Sequence, residues 1–99
     1  MRRGTTPTHT FTTDIDLTDA EVIFITYEQA GKPVMEKTKE DLAITAESLT
    51  VKLTQEETLA FELGKPVEMQ IRARFADGSA PASQVMRTNV DVILKEGVI

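Results

Sequence analysis

The chain contains one histidine, His9, so any serine–histidine–aspartate catalytic arrangement would have to use it. The available serine nucleophiles are Ser48, Ser79 and Ser83, and none lies in the Gly-x-Ser-x-Gly pattern of a nucleophile elbow. Thiolate chemistry, zinc–cysteine sites and disulfides are excluded because the sequence has no cysteine. We therefore predict no catalytic residue and interpret His9 as a histidine at the end of a strand.

Three aspartates, Asp14, Asp16 and Asp19, lie close together near the start of the chain. Calcium binds several carboxylates from one loop, so this group is a candidate cation site. The spacing does not follow the EF-hand loop, which needs a glycine and a distal glutamate. A loop in which the aspartates form local turns explains the same residues, and the sequence leaves both interpretations open.

The chain also contains three nearby glutamates, Glu56, Glu57 and Glu62. Two of them could form the carboxylate pair of an acid–base enzyme only if one member of the pair lay in an apolar pocket. The start of a helix explains the first two without catalysis, because Thr54 and Glu57 form a capping-box pattern. We predict that the chain is not an enzyme and needs no cofactor.

Three arginines, Arg72, Arg74 and Arg87, are predicted to share one outer sheet face. Acidic neighbours such as Glu68 and Asp91 favour cross-strand ion pairs there. The formal net charge is −5, which is unfavourable for binding a phosphate backbone. We therefore expect no nucleic-acid partner.

The elements that must position these residues are mostly strands, because the apolar residues of the 99-residue chain recur at every second position. The clearest run is 67–75, and residues 86–94 and 49–54 follow the same alternation. Residues 9–15 show a Thr-rich form of the same alternation. Residues 21–27 are apolar on both faces, which predicts a central strand covered on both sides. Two further strands are predicted over 33–38, at a charged edge, and 42–45, and Ala30-Gly31-Lys32-Pro33 is predicted to be a hairpin connection.

One segment departs from this period and predicts a helix over 55–63, ended by Gly64 and Pro66. About seven strands and one crossover helix predict an all-β, immunoglobulin-like antiparallel sandwich. The antibody-type disulfide and buried tryptophan are absent, so we expect Phe11, Phe24, Phe61 and Phe75 to fill the core.

The first residues have no periodicity, so we predict an N-terminal arm over 1–7, which can be flexible, and one sandwich domain over 8–99. An arm of this kind can dock on a neighbouring subunit by strand addition. The candidate partner-contact residues are Arg2, Arg3, Thr5, Thr6, Pro7 and Thr8.

The order of several segments resembles a family of small proteins encoded among the tail genes of phages and prophages of Gram-positive bacteria. The resemblance is carried by the opening Arg-Gly-Thr-Thr-Pro-Thr-His-Thr-Phe and by residues 22–32, 49–61, 67–78 and 90–99. The chain is more loosely similar to the N-terminal sandwich domain of phage baseplate upper proteins. The resemblance implies a virion structural or assembly role through contacts with itself or other tail proteins, and no catalytic residue.

The alternative is a small ligand-binding sandwich that takes calcium or a cell-surface carbohydrate. No apolar run approaches the roughly 20 residues that span a bilayer, so we expect cytoplasmic expression, with the virion as a second location, and no membrane partner. A homo-oligomer is compatible with either function.

Overall fold

A computed structural model describes all residues, 1–99, as seven β-strands, one 3-10 helix and one short α-helix. The strands are β1 (Thr8–Thr12), β2 (Val22–Gln29), β3 (Lys32–Thr38), β4 (Leu42–Ile44), β5 (Ser48–Lys52), β6 (Val67–Arg74) and β7 (Met86–Thr88). The 3-10 helix (Lys39–Asp41) connects β3 to β4, and α1 (Gln55–Leu59) lies between β5 and β6.

The strands form two antiparallel sheets of different size. One sheet has three strands in the order β1-β5-β4, and the other has four in the order β3-β2-β6-β7. The order of these strands along the chain matches strands B, C, C′, D, E, F and G of an immunoglobulin domain, with α1 on the E–F crossover. The chain is thus an all-β, immunoglobulin-like antiparallel sandwich, as its sequence predicts. No strand occupies the place that strand A takes beside strand B.

A single core lies between the inner faces of the sheets. Tyr27 and Phe61 are the largest fully buried side chains, and their ring centroids lie 6.0 Å apart. Burying two aromatic side chains contributes several kcal/mol, on the order of 1.5–3 kcal/mol each. This pair replaces the disulfide and tryptophan of antibody domains as the centre of the core.

The prediction that β2 is covered on both faces is wrong. Ile23, Ile25 and Tyr27 are buried, but Phe24 on the opposite face is 37% exposed. The reason is that no second layer packs on the outer face of the four-stranded sheet. Of the four phenylalanines expected in the core, Phe11 and Phe61 are buried, whereas Phe75 is only partly buried against it.

The β2–β3 connection is a two-residue hairpin turn at Ala30 and Gly31, as the sequence indicates. Both residues have positive φ, 50° and 78°, which is the type I′ geometry that matches strand twist. The β3 strand then carries a register shift opposite Tyr27 and Glu28, which interrupts its edge.

The helix begins where the sequence predicts but ends early. The Thr54 hydroxyl accepts from the Glu57 amide at 3.1 Å, and the Glu57 carboxylate accepts from the Thr54 amide at 2.9 Å. The helix ends at Leu59 instead of residue 63, because the chain changes direction there and buries Phe61 in the core.

The last strand is also shorter than the alternation over 86–94 predicts. β7 ends at Thr88 because its ladder partner, Val67, is the first residue of β6. Beyond this point the apolar alternation continues without a partner strand, except for an isolated parallel bridge between Arg2 and Asp91.

Candidate functional site: an open sheet edge and its groove

Two sheets of this kind have four edge strands, and three of them are protected against pairing. β3 carries Lys32, Pro33, Glu36 and Lys37 together with the register shift. β4 and β7 are only three residues long. Charges, proline, irregularity and short length are the ordinary means by which an edge avoids pairing with other chains.

The fourth edge, β1, has none of these protections. Its sequence, Thr-His-Thr-Phe-Thr, contains no proline, lysine or carboxylate. It pairs with β5 in regular register along all five residues. β1 is therefore the open edge of the sandwich.

The unpaired backbone groups of β1 can be assigned from its hydrogen bonds. The Pro7 carbonyl accepts from the Leu53 amide at 3.0 Å, and the Thr13 amide donates to the Glu47 carbonyl at 2.8 Å. In an antiparallel ladder, every second residue forms backbone hydrogen bonds with the neighbouring strand. The backbone N–H and C=O groups of the odd-numbered residues of β1 therefore point towards β5. The backbone groups of Thr8, Thr10 and Thr12 point away from the sheet, and no backbone bond outside the β5 ladder reaches them.

A cavity of about 440 Å³, which we call the open-side groove, begins where β1 ends. One wall carries Thr12, Thr13, Asp14, Ile15 and Leu17, and the other carries Ile71, Ala73, residues 81–84 and Met86. The groove thus separates the β1 side of one sheet from the β6–β7 side of the other. It lies where the three-stranded sheet lacks a further strand.

The groove has an apolar floor with one unsatisfied polar atom. Leu17, Ile71 and Ala73 are core residues that also line it. The Thr13 hydroxyl oxygen is buried and has no hydrogen-bond partner, which is uncommon in native structures. This surface can bury apolar side chains.

The N-terminal residues proposed as partner contacts lie mainly against their own chain. The Arg3 guanidinium donates to the carbonyls of Phe61 and Leu59 at 2.9 and 3.0 Å and pairs with Glu96 at 3.2 Å. Arg2 forms the bridge with Asp91 and donates a side-chain bond to the Val92 carbonyl. These contacts hold the start of the chain beside residues 89–96.

The remaining candidates lead from this position to the open edge. The Thr5 carbonyl accepts from the Thr58 hydroxyl at 2.9 Å, and Pro7 continues the β5 ladder. Thr6 is exposed, and Thr8 is the first residue of β1. Of the six residues, Thr8 is the one whose backbone belongs to the open edge, and the partner role of all six stays a prediction.

The aspartates of the calcium hypothesis do not converge. The Asp16 carboxylate accepts from the Thr18 amide and hydroxyl at 2.9 and 2.7 Å, bonds that lower its pKa. No group of three acidic or histidine side chains has the geometry to hold a metal ion. Asp14 lines the groove, whereas Asp19 is exposed in the same loop, so the turn interpretation of this segment accounts for what is observed.

His9 forms a hydrogen bond with Tyr27 within the fold. Its Nδ1 lies 2.8 Å from the Tyr27 hydroxyl, and burial, aided by the positive N-terminus, lowers the pKa of the imidazole. Burial also raises the pKa of Tyr27, with a contribution from Glu57. The three serine hydroxyls bond elsewhere, to Thr45, Asp77 and the Gln84 carbonyl, so no serine–histidine pair forms.

Two of the three glutamates considered as an acid–base pair, Glu57 and Glu62, form ion pairs with lysines. Burial disfavours the charged form of Glu57, but its bonds to Lys37 and Thr54 outweigh this and lower its pKa. Glu62 pairs with Lys65 at 2.6 Å, and Glu56 lies exposed in the first turn of α1.

Two of the three outer-face arginines form ion pairs, whereas Asp91 pairs with the N-terminal amine. Arg87 lies 3.6 Å from Glu68, and Arg74 lies 3.8 Å from Glu21. Arg72 lies directly opposite Phe24 in the β2–β6 register. These exposed pairs contribute little individually, about 0–1 kcal/mol each.

Sequence reasoning missed the open edge, although one signal was available. The segment 8–12 lacks the charges and proline that mark 32–38 as a protected edge. The groove could not be foreseen, because it depends on which strand has no neighbour.

Comparisons with known proteins add little to this geometry. No protein-family model matches the chain, and no curated protein matches it. Among solved structures, the V domain of amphioxus IgVJ-C2 is similar, with a TM-score of 0.40 and 15% sequence identity. That match covers 94% of this chain and 97% of the other. None of the helices is long and apolar enough to cross a membrane.

Proposed function

We propose that this protein is a non-enzymatic assembly module that binds other proteins by accepting an extended strand at the open edge of β1. The observation that carries the proposal is the outward-facing backbone of Thr8, Thr10 and Thr12, which has no partner and no protecting charge. Strand addition supplies main-chain hydrogen bonds for affinity and pockets for specificity. The open-side groove provides the pocket.

We further propose phage or prophage tail assembly as the setting, on the basis of the family resemblance of the sequence. An assembly protein needs specific contacts between subunits, and an open edge beside an apolar groove suits that need. Mass spectrometry of purified tails tests the setting, because the chain is expected there at a stoichiometric level. Its absence would contradict the setting and leave the edge-binding function standing.

Two substitutions at one position test the edge itself. Thr10→Pro removes an amide hydrogen that faces solvent, so the fold should tolerate it while an added strand is blocked. Thr10→Lys places a charge on the same edge. Thr50→Lys is the matched control, since Thr50 lies opposite Thr10 on the same face but has strands on both sides.

Sedimentation velocity over a range of protein concentrations measures the effect. We expect concentration-dependent association of the natural protein and of Thr50→Lys, and monomers for both Thr10 variants. Thermal unfolding of each variant checks that it is folded. Unchanged association of a folded Thr10 variant would show that this edge is not the binding site.

A further inference from the structure

We infer that the strand accepted at β1 is Val92–Lys95 of a second copy of this chain, so that copies join head to tail. This inference rests on the proposed strand-binding function and names its partner. We call Val92–Lys95 the donor segment. The acceptor consists of the outward-facing backbone groups of Thr10 and Thr12 on β1, together with the adjoining open-side groove.

The donor segment has the pattern of a strand but no strand partner. Its apolar residues continue the alternation that begins in β7, yet β7 ends at Thr88. Leu94 is 98% exposed and Val92 is 53% exposed. An exposed apolar segment with strand periodicity is suited to pairing with an open edge.

The donor segment and the acceptor edge also match in chemistry. In an added strand, Val92 and Leu94 point to the same side, and the groove floor offers Leu17, Ile71 and Ala73 to them. Asp14 is the ionisable residue of the groove lining, and Lys95 carries the opposite charge.

The donor segment exposes Val92 and Leu94 but is anchored in its own chain at Ile93, whose Cδ1 atom lies against Gly4. Its contacts include the bond between the Arg2 guanidinium and the Val92 carbonyl, and the neighbouring Arg3–Glu96 pair. The Glu96 side chain is 62% exposed, so water and salt screen its ion pair. Pairing at β1 exchanges these contacts for burial of Val92 and Leu94, the most exposed apolar side chains of the segment.

A contact between two different surfaces of one chain repeats from copy to copy. Such heterologous contacts close into rings or extend into open filaments, depending on the rotation between copies. A symmetric contact between two β1 strands would instead stop at a dimer. The two arrangements therefore differ in a measurable way.

A mixing experiment with two full-length variants tests the assignment. Leu94→Lys disables the donor and leaves the acceptor, whereas Thr10→Pro disables the acceptor and leaves the donor. Leu63→Lys is the control for Leu94→Lys, because Leu63 is another exposed leucine, 45% exposed, outside both surfaces. Each variant, and the two disabled variants mixed, is followed by sedimentation velocity.

We expect each disabled variant to associate at least about tenfold more weakly than the natural protein, as loss of a central contact predicts. The mixture should form a 1:1 complex that grows no further, because one donor and one acceptor remain intact. Leu63→Lys should associate like the natural protein.

Four results would overturn the inference, and they have different consequences. If Leu94→Lys associates normally while Thr10→Pro does not, the edge accepts another strand and the proposed function stands. If both variants are monomers and their mixture forms no complex, the contact is not donor to acceptor. If Thr10→Pro associates normally, the proposed function falls with the inference. If the natural protein is monomeric at every concentration, the pairing of two copies is overturned, and the edge accepts a strand of another protein.

Discussion

Thr10 lies opposite Thr50 on β5, with the two hydroxyl oxygens 3.4 Å apart, and no strand lies on its other side. Thr50 pairs in turn with Ala43 on β4, so its backbone is flanked by strands on both sides. The two threonines thus have the same side chain on the same face but different backbone environments. This difference between neighbours is the basis of the proposed binding edge.

The burial of His9 predicts that the stability of the protein depends on pH. Burial lowers the pKa of His9 below its ordinary value of 6.5, so the folded state binds fewer protons than the unfolded state just below that pH. This contribution to stability is complete above about pH 6.5 and is lost as the pH falls towards the lowered pKa.

Urea unfolding at pH 7.5, 6.5 and 5.5 measures this effect. We expect the free energy of unfolding to fall over this range in the natural protein and to change less in His9→Gln. An equal slope in both proteins would show that other groups cause the dependence.

Gln29 is expected to be the polar side chain whose loss costs the most stability. It is 6% exposed, its amide donates to the carbonyls of Glu62 and Lys65 at 2.9 and 3.0 Å, and its carbonyl accepts from the Glu62 amide at 2.8 Å. Gln29→Leu keeps the size but leaves these main-chain groups unpaired, which should cost about 2–4 kcal/mol.

Chemical denaturation of Gln29→Leu checks this value, with Gln70→Leu as the control. Gln70 makes one such bond, to the Ser83 carbonyl at 3.0 Å, so its loss should cost about 1 kcal/mol. Equal costs for the two variants would contradict the structural role assigned to Gln29.

Features that depend on neighbouring residues were predictable from the sequence. The start of α1 follows from Thr54 and Glu57, which are three residues apart and cap each other. The β2–β3 turn follows from Gly31, and β6 follows from its strict alternation. In each case the controlling interaction lies within a few residues along the chain.

Features that depend on distant residues were not predictable. α1 ends early because Phe61 is needed in the core beside Tyr27, and Phe24 is exposed because no element covers its face. β7 stops where β6 begins. The open edge belongs to the same class, since only the sheet order shows that β1 has one neighbour.

Gly4, near the start of the chain, packs against Ile93, near its end. Replacing Gly4 by alanine should destabilise the protein for two reasons. Its φ is +70°, and an added Cβ would lie 2.7 Å from the Ile93 Cδ1 atom. The positive φ alone should cost about 1–2 kcal/mol.

Gly78→Ala isolates the conformational part, because Gly78 has a φ of +89° and nothing within 4 Å of the added Cβ. We expect Gly4→Ala to be the more destabilising in thermal unfolding. Adding Ile93→Ala should recover stability in the Gly4→Ala background only, and a simple additive loss would argue against the contact.

The most direct test of strand addition is amide hydrogen exchange of Thr10 and Thr12, measured by NMR at low and high protein concentration. In the monomer both amides face solvent and should exchange quickly, whereas the Thr50 amide lies inside a sheet and should be protected at every concentration. We predict that protection of Thr10 and Thr12 rises with concentration while that of Thr50 does not change. Fast exchange of Thr10 and Thr12 in an associated sample would contradict a strand paired to β1.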